Sequence, residues 1–170
     1  GFGRIGQRVA EMCDYHGLQI NYFSRRNHLI DNYTWYNNIE QIVENSDILS
    51  IHLNLNNLTK GIFDKQLLKK LKNKILINTS RGGLVDEVAL KSYLDDGFIL
   101  GAGLDVFVDE PIFGNSSLLA SARNVICTSH IGAYDKHSIE KVGLNSLLNI
   151  KHFFSNEYDK INDFVVQKDC

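Results

Sequence analysis

Short strand-like segments, most of them apolar runs, recur along this chain at 19–23, 48–53, 74–79, 99–106 and 125–129, separated by segments with helical spacing or capping residues. Most do not alternate apolar with polar, as a strand with one wet face would. They read as strands buried on both faces, which belong to parallel sheets. Ile5, Val9 and Met12 recur at helical spacing, and Gly17 supplies a left-handed cap. A short helix is expected at 39–44. Asp64 caps a helix running to Leu71, Asp86 caps one that Gly97 ends, and Asp135 opens a long helix to about Phe154. Residues 24–37 are polar and read as irregular. Strands alternating with helices, joined by right-handed crossovers, put helices on both faces of the sheet. The fold class is therefore α/β, a doubly wound parallel sheet of the Rossmann type.

Charge and cysteine content narrow the partners. The formal net charge is −2 and the pI about 6.3, which argues against nucleic acid. No apolar run approaches the roughly 18 residues of a membrane span, so no membrane association is expected. Cys13, Cys127 and Cys170 are odd in number and form no CxxC pair. No metal site is expected, and a reduced, cytoplasmic setting is. Cys13 and Cys127 read as small core residues. Lys69, Lys70, Lys72 and Lys74 read as a solvated face.

Gly1, Gly3 and Gly6 form a G-x-G-x-x-G loop at the start of the first helix. In such a loop the first glycine permits a tight turn, the second lets a pyrophosphate approach the backbone, and the third lets helix and sheet pack closely. The helix N-terminus then favours the phosphate charge. A strand at 19–23 follows at the distance a dinucleotide site needs. The strand that should precede Gly1 is missing, so the expectation is a nucleotide-binding domain without its first strand.

The tip of the 19–23 strand bears on cofactor choice. An Asp or Glu there bonds the ribose hydroxyls of NAD. This chain has Ser24, Arg25 and Arg26, with no carboxylate to repel a 2′-phosphate and two guanidinium groups to clasp one. NADP(H) is the expected preference and NAD(H) the alternative.

Three polar residues follow three strands: Arg81 after 74–79, Glu110 after 99–106 and His130 after 125–129. Ligands of open parallel sheets bind at the carboxyl ends of the strands, so these residues should converge near the glycine loop. Arginine holds a planar carboxylate in two parallel hydrogen bonds. Histidine exchanges a proton with a hydroxyl near neutral pH, and a neighbouring carboxylate fixes its tautomer. Singly, each has a bland explanation as a surface or structural residue. Together, beside a dinucleotide loop, they suit reversible reduction of a 2-oxo acid.

The segments 78–90 (NTSRGGLVDEVAL), 101–111 (GAGLDVFVDEP) and 128–133 (TSHIGA), with GFGRIG at 1–6, resemble the D-isomer-specific 2-hydroxyacid dehydrogenases. The likeness runs in order from residue 1 to about 155. It implies that Arg81 binds the substrate carboxylate and carbonyl, that Glu110 pairs with the histidine, and that His130 is the general acid for reduction. It further implies that Asp105 lies near the nicotinamide and that Arg4 and Ile5 offer amides to the pyrophosphate. Leu53, Asn54, Thr59, Thr79 and Ser80 would contact other parts of the cofactor, and Gly132 and Ala133 would pass close to the carboxamide. His52 reads as structural, and Trp35 and Tyr134 as packing residues. Asn54, Asn57 and Ser129 stand where the family often has proline.

The Ser-Arg-Arg tip is similar to that of the NADPH-using glyoxylate and hydroxypyruvate reductases. The implied substrate is a small 2-oxo or 2-hydroxy acid. Phosphoglycerate dehydrogenase and a non-catalytic NAD(H)-sensing module are the alternatives. The expected domains are 1–134, binding NAD(P), and 135–170, a helix and tail returning to a mostly absent substrate domain. A homodimer is implied for the full-length protein.

Overall fold

The computed structural model describes residues 1–112 and 118–161, so Cys170 and the expected tail beyond 161 lie outside the described residues. The chain divides into two compact units, Gly1–His130 and Ile131–Cys170.

In the first unit, helices start where a side chain offers oxygen to the first free amides. Asn38 Oδ1 accepts the Glu40 N–H at 2.7 Å and opens α2 (Ile39–Glu44). Asp64 Oδ1 accepts the Leu67 N–H at 2.8 Å and opens α3 (Lys65–Leu68). Asp86 does the same for α4 (Glu87–Asp95), with the Ala89 N–H at 3.0 Å. The helix α1 (Arg4–Tyr15) differs, because it starts at Gly3 without a side-chain cap. Gly17 and Gly97 end α1 and α4 at φ of +80° and +67°, where a Cβ would be strained.

The strands are β1 (Asn21–Phe23), β2 (Thr34–Tyr36), β3 (Ile48–Ile51), β4 (Ile75–Asn78), β5 (Gly101–Leu104) and β6 (Val125–Cys127). All pairings are parallel, with β1 beside β2 and the other strands in the order β3-β4-β5-β6. Residues 24–37 read as irregular from the sequence, yet Thr34–Tyr36 pairs along β1, with Trp35 opposite Tyr22. Three residues are too few for periodicity to register, and only their β-branched and aromatic composition marks them.

β1 and β3 each begin a separate ladder, β1-β2 and β3-β4-β5-β6. No ladder joins β1 to β3 among the described residues. A cavity of about 570 Å³ lies there, lined by both strands together with Gly1, Gly6, Val9 and His52.

The main core packs Leu68, Leu71, Leu76, Leu84, Leu90, Leu94 and Ile99, all fully buried, between sheet and helices. Cys13 and Cys127 are only half-buried, at the margins rather than inside. Two of the four lysines are not simply solvated. Lys70 Nζ lies 2.8 Å from Glu40 and 2.5 Å from Glu44. Lys74 Nζ donates to the Val43 and Glu44 carbonyls at 2.7 and 2.6 Å, closing the C-terminal end of α2.

The second unit is built on α5 (Lys136–Phe154), opened by Asp135, whose Oδ1 accepts the Ser138 N–H at 3.0 Å. Tyr134, expected to pack, is 80% exposed. Among the described residues no helix is long and apolar enough to cross a membrane.

Candidate active site

The sheet register sets out the site. Ile51 pairs with Asn78, Asn78 with Leu104 and Leu104 with Cys127. The residues that follow these positions therefore leave the sheet along one edge. They include Leu53 and Asn54, Thr79 to Arg81, Asp105 and Glu110, and Thr128 to His130. The glycine loop lies beside the same end of β3, where a Cβ on Gly1 would meet the His52 carbonyl oxygen at 2.4 Å.

The glycines of that loop divide into two kinds. A Cβ on Gly1 would strike His52, and one on Gly6 would come within 2.5 Å of the Gly1 carbonyl oxygen. These two allow backbones to touch. A Cβ on Gly3 would meet nothing within 4 Å. Nothing among the described residues requires Gly3 to lack a side chain, and the open space above it fits a group brought against the backbone. Gly3, Arg4 and Ile5 are all exposed at the uncapped start of α1, where the helix field favours an anion. These residues fit a pyrophosphate.

Beyond β1, the Ser24–Arg26 tip is held from beneath. Trp35 Nε1 donates to the Ser24 carbonyl at 3.0 Å. The Tyr22 hydroxyl donates to Asn27 Oδ1 at 2.6 Å and accepts the His28 N–H at 3.0 Å. The Tyr22 ring stacks on Phe2 of the glycine loop, with centroids 4.1 Å apart. Arg25 and Arg26 are exposed on this braced turn. The turn after β3 is braced by its own side chains. Thr59 Oγ1 donates to the Asn54 carbonyl at 2.6 Å and accepts the Asn56 N–H at 2.9 Å. Asn56 Oδ1 accepts the Leu58 N–H at 2.9 Å and the Thr59 N–H at 3.2 Å.

Asn78, unremarked in the sequence, is 1% exposed at the end of β4. Its Oδ1 accepts the Ser80 N–H and its Nδ2 donates to the Arg81 carbonyl, both at 3.0 Å. Ser80 Oγ donates to the Ile51 carbonyl at 2.7 Å. These bonds shape the turn that presents Arg81. An asparagine closing an apolar strand before Ser-Arg-Gly-Gly was the available signal. Asp105, 7% exposed after β5, accepts a short hydrogen bond from the Thr128 hydroxyl.

His130 Nδ1 lies 2.7 Å from Glu110 Oε2. Glu110 Oε1 accepts the Phe107 N–H at 2.8 Å. Burial raises the Glu110 carboxyl, but the His130 and Phe107 bonds and the charges of His130 and Arg81 outweigh it and hold it below its ordinary value. His130 has φ of +57°, a left-handed conformation uncommon outside glycine, and such strain gathers at functional sites. His52 is different. Burial lowers its pKa, and its Nε2 lies 2.9 Å from Ser50 Oγ. Gly132 and Ala133 belong to the second unit, where both are exposed. Among the described residues no cluster of His, Cys, Asp or Glu could hold a metal ion.

Comparisons with known proteins show which family the chain resembles. Residues 1–132 match the model of the D-isomer specific 2-hydroxyacid dehydrogenase, NAD binding domain. The chain is 36% identical over 157 residues to a glyoxylate/hydroxypyruvate reductase of Arabidopsis thaliana, covering 92% of this chain and 48% of that protein. It is 41% identical over 137 residues to the glyoxylate reductase of Thermococcus litoralis, covering 78% of this chain and 41% of that protein. It superposes with TM-score 0.85 and 31% identity on the NADPH-dependent glyoxylate/hydroxypyruvate reductase of Sinorhizobium meliloti solved with NADP and malonate, covering 91% of this chain and 48% of that one. The chain thus spans about half the length of the curated relatives it matches.

Proposed function

The chain belongs to the D-isomer specific 2-hydroxyacid dehydrogenase family through its NAD-binding domain, and on that premise we propose that it serves the reversible reduction of a small 2-oxo acid, of the glyoxylate or hydroxypyruvate class, with NADPH preferred. The observation that carries the proposal is the 2.7 Å contact of His130 Nδ1 with Glu110 Oε2 at the strand edge shared with the glycine loop.

The nicotinamide cofactor, when bound, supplies or takes the hydride. The chain's own residues do the rest. Glu110 holds His130 at Nδ1 and leaves Nε2 to meet the substrate. As the 2-oxo carbon is reduced, charge gathers on its oxygen, and His130 gives that oxygen the proton. In the reverse direction it takes the hydroxyl proton back. Arg81 binds the substrate carboxylate and orients the carbonyl. Gly3, Arg4 and Ile5 receive the pyrophosphate, and Arg25 and Arg26 clasp a 2′-phosphate. The solved relative that holds NADP supports that cofactor as the one to test first.

The test is NADPH and NADH oxidation by the full-length protein with glyoxylate, hydroxypyruvate and 3-phosphohydroxypyruvate. Turnover of glyoxylate or hydroxypyruvate, faster with NADPH, is expected. His130→Gln should lower kcat by roughly 10²–10⁴-fold, the worth of general acid catalysis. Wild-type turnover in that variant would remove His130 from the mechanism. Tight NADPH binding with no turnover on any of these acids would favour a sensing role.

A further inference from the structure

The Phe107–Val108 peptide is where three parts of the site meet. Gly82, next to Arg81, lies so close that a Cβ on it would sit 1.9 Å from the Phe107 carbonyl carbon and 2.3 Å from the Val108 nitrogen. Glu110 Oε1 accepts the Phe107 N–H at 2.8 Å. Glu87 Oε1 accepts the Val108 N–H at 2.7 Å. Two carboxylates thus hold consecutive amides of one turn. Glu110 sits on that turn, whereas Glu87 is the first residue of α4 and is anchored by a helix. The chemistry proposed above makes no use of Glu87.

We propose that Glu87 is a positioning residue, holding the Val108 amide so that the 107–110 turn aims Glu110 at His130. Its role differs from that of a catalytic residue, since it acts through the turn. A carboxylate accepts from an amide more strongly than a neutral group of the same shape, so the clamp depends on the charge of Glu87. The titratable groups around it are Asp109, Glu110 and Cys127. Burial, with the charges of Asp109 and Glu110 behind it, raises the Glu87 carboxyl above its ordinary range, against the Val108 N–H that favours the ionised form. Falling pH therefore weakens this clamp before it reaches Glu110, whose carboxyl is held low.

The kinetic arm of the test rests on the reductase proposal, and the exchange arm does not. In the full-length protein, Glu87→Ala removes the acceptor, while Glu87→Gln keeps an acceptor without the charge. For glyoxylate reduction, Glu87→Ala should lower kcat about tenfold by misplacing the dyad. KM for NADPH should stay within about twofold, since no cofactor contact is lost. Glu87→Gln, a weaker acceptor, should recover only part of kcat at neutral pH and move the acid limb of kcat/KM to lower pH, since it has no charge to lose. Hydrogen–deuterium exchange in the peptide spanning 105–111 should rise at least about fivefold in Glu87→Ala and by less in Glu87→Gln. A wild-type protein that binds NADPH but reduces no 2-oxo acid overturns the reductase proposal, and exchange then judges the clamp alone. Wild-type kcat in Glu87→Ala, unchanged exchange in that variant, or an acid limb that stays in place in Glu87→Gln overturns the role given to Glu87. Should Glu87→Ala fail to fold, the pH limb of Glu87→Gln decides.

Discussion

Replacing Gly3 by alanine separates folding from binding at the glycine loop. Gly3 has φ of −79° and ψ of −167°, a conformation any L-residue adopts, and the added Cβ meets no protein atom within 4 Å. Fewer unfolded conformations should stabilise the variant by about 0.4–1 kcal/mol. Alanine is a poorer N-cap than glycine, at a cost of about the same size. The two offset, so stability should stay within about 0.5 kcal/mol of wild type. Binding should behave otherwise. The methyl would stand in the cradle that fits the pyrophosphate and hold it away from the helix N-terminus. Losing one charge-assisted hydrogen bond, at about 1.5–3 kcal/mol, weakens the complex by roughly 10- to 150-fold. Urea denaturation reads the first quantity, and NADPH fluorescence titration of the full-length protein reads the second. Gly6→Ala is the contrast, because its Cβ would lie 2.5 Å from the Gly1 carbonyl oxygen. It should destabilise by about 1–3 kcal/mol through overpacking. Wild-type NADPH affinity in Gly3→Ala would refute the placement of the pyrophosphate. A large fall in its stability would refute the claim that Gly3 is free of structural duty.

Four further outcomes are expected. Gly82→Ala should destabilise by about 1–3 kcal/mol or more in urea, because its Cβ would collide with the Phe107–Val108 backbone rather than a yielding side chain. Gly143→Ala in α5, with nothing within 4 Å, should instead gain up to about 1 kcal/mol. Tyr22→Phe removes the hydroxyl that braces Asn27 and His28 and should weaken NADPH about fivefold, the worth of one net hydrogen bond, while leaving NADH unchanged by titration. Stability should depend on pH with opposite signs at the two carboxylates. Glu110, held low, stabilises above the ordinary carboxylate range, and this is lost as pH falls through its folded value. Glu87, held high, makes the fold lose stability as pH rises from the ordinary range through its raised value. Glu87→Gln should therefore melt no lower than wild type at neutral pH, which thermal unfolding across pH will check.

The legible parts of the fold are those whose signal is local. Asp64, Asp86 and Asp135 marked helix starts because a capping carboxylate acts within three residues. The runs around β3, β4 and β5 were legible because burial on both faces leaves a continuous apolar stretch. Thr34–Tyr36 escaped because its partner, Asn21–Phe23, is remote and the pairing leaves no period in so short a strand. Cys127 looked like core from its neighbours. Yet β6 is an edge strand, and an edge exposes Ile126 by 75% while leaving Cys127 half-covered.

The site divides along the same physical line. Arg81, Glu110 and His130 could be singled out because their chemistry is carried by residue type and by their place after a strand. The residues that aim them could not, because aiming is done through backbone groups, which every residue possesses. Asn78 shapes the Arg81 turn through one N–H and one carbonyl. Glu87 and Gly82 act on a single peptide far away in sequence. The left-handed φ of +57° at His130 is invisible in the letters Ser-His-Ile. That conformation turns the ring to meet Glu110, and it tolerates asparagine better than most residues. His130→Asn should accordingly keep the backbone turn while losing the proton donor. Its kcat should fall by about 10²–10⁴-fold with stability close to wild type. If folding failed instead, the imidazole–carboxylate contact, rather than the local backbone, would be what holds the turn.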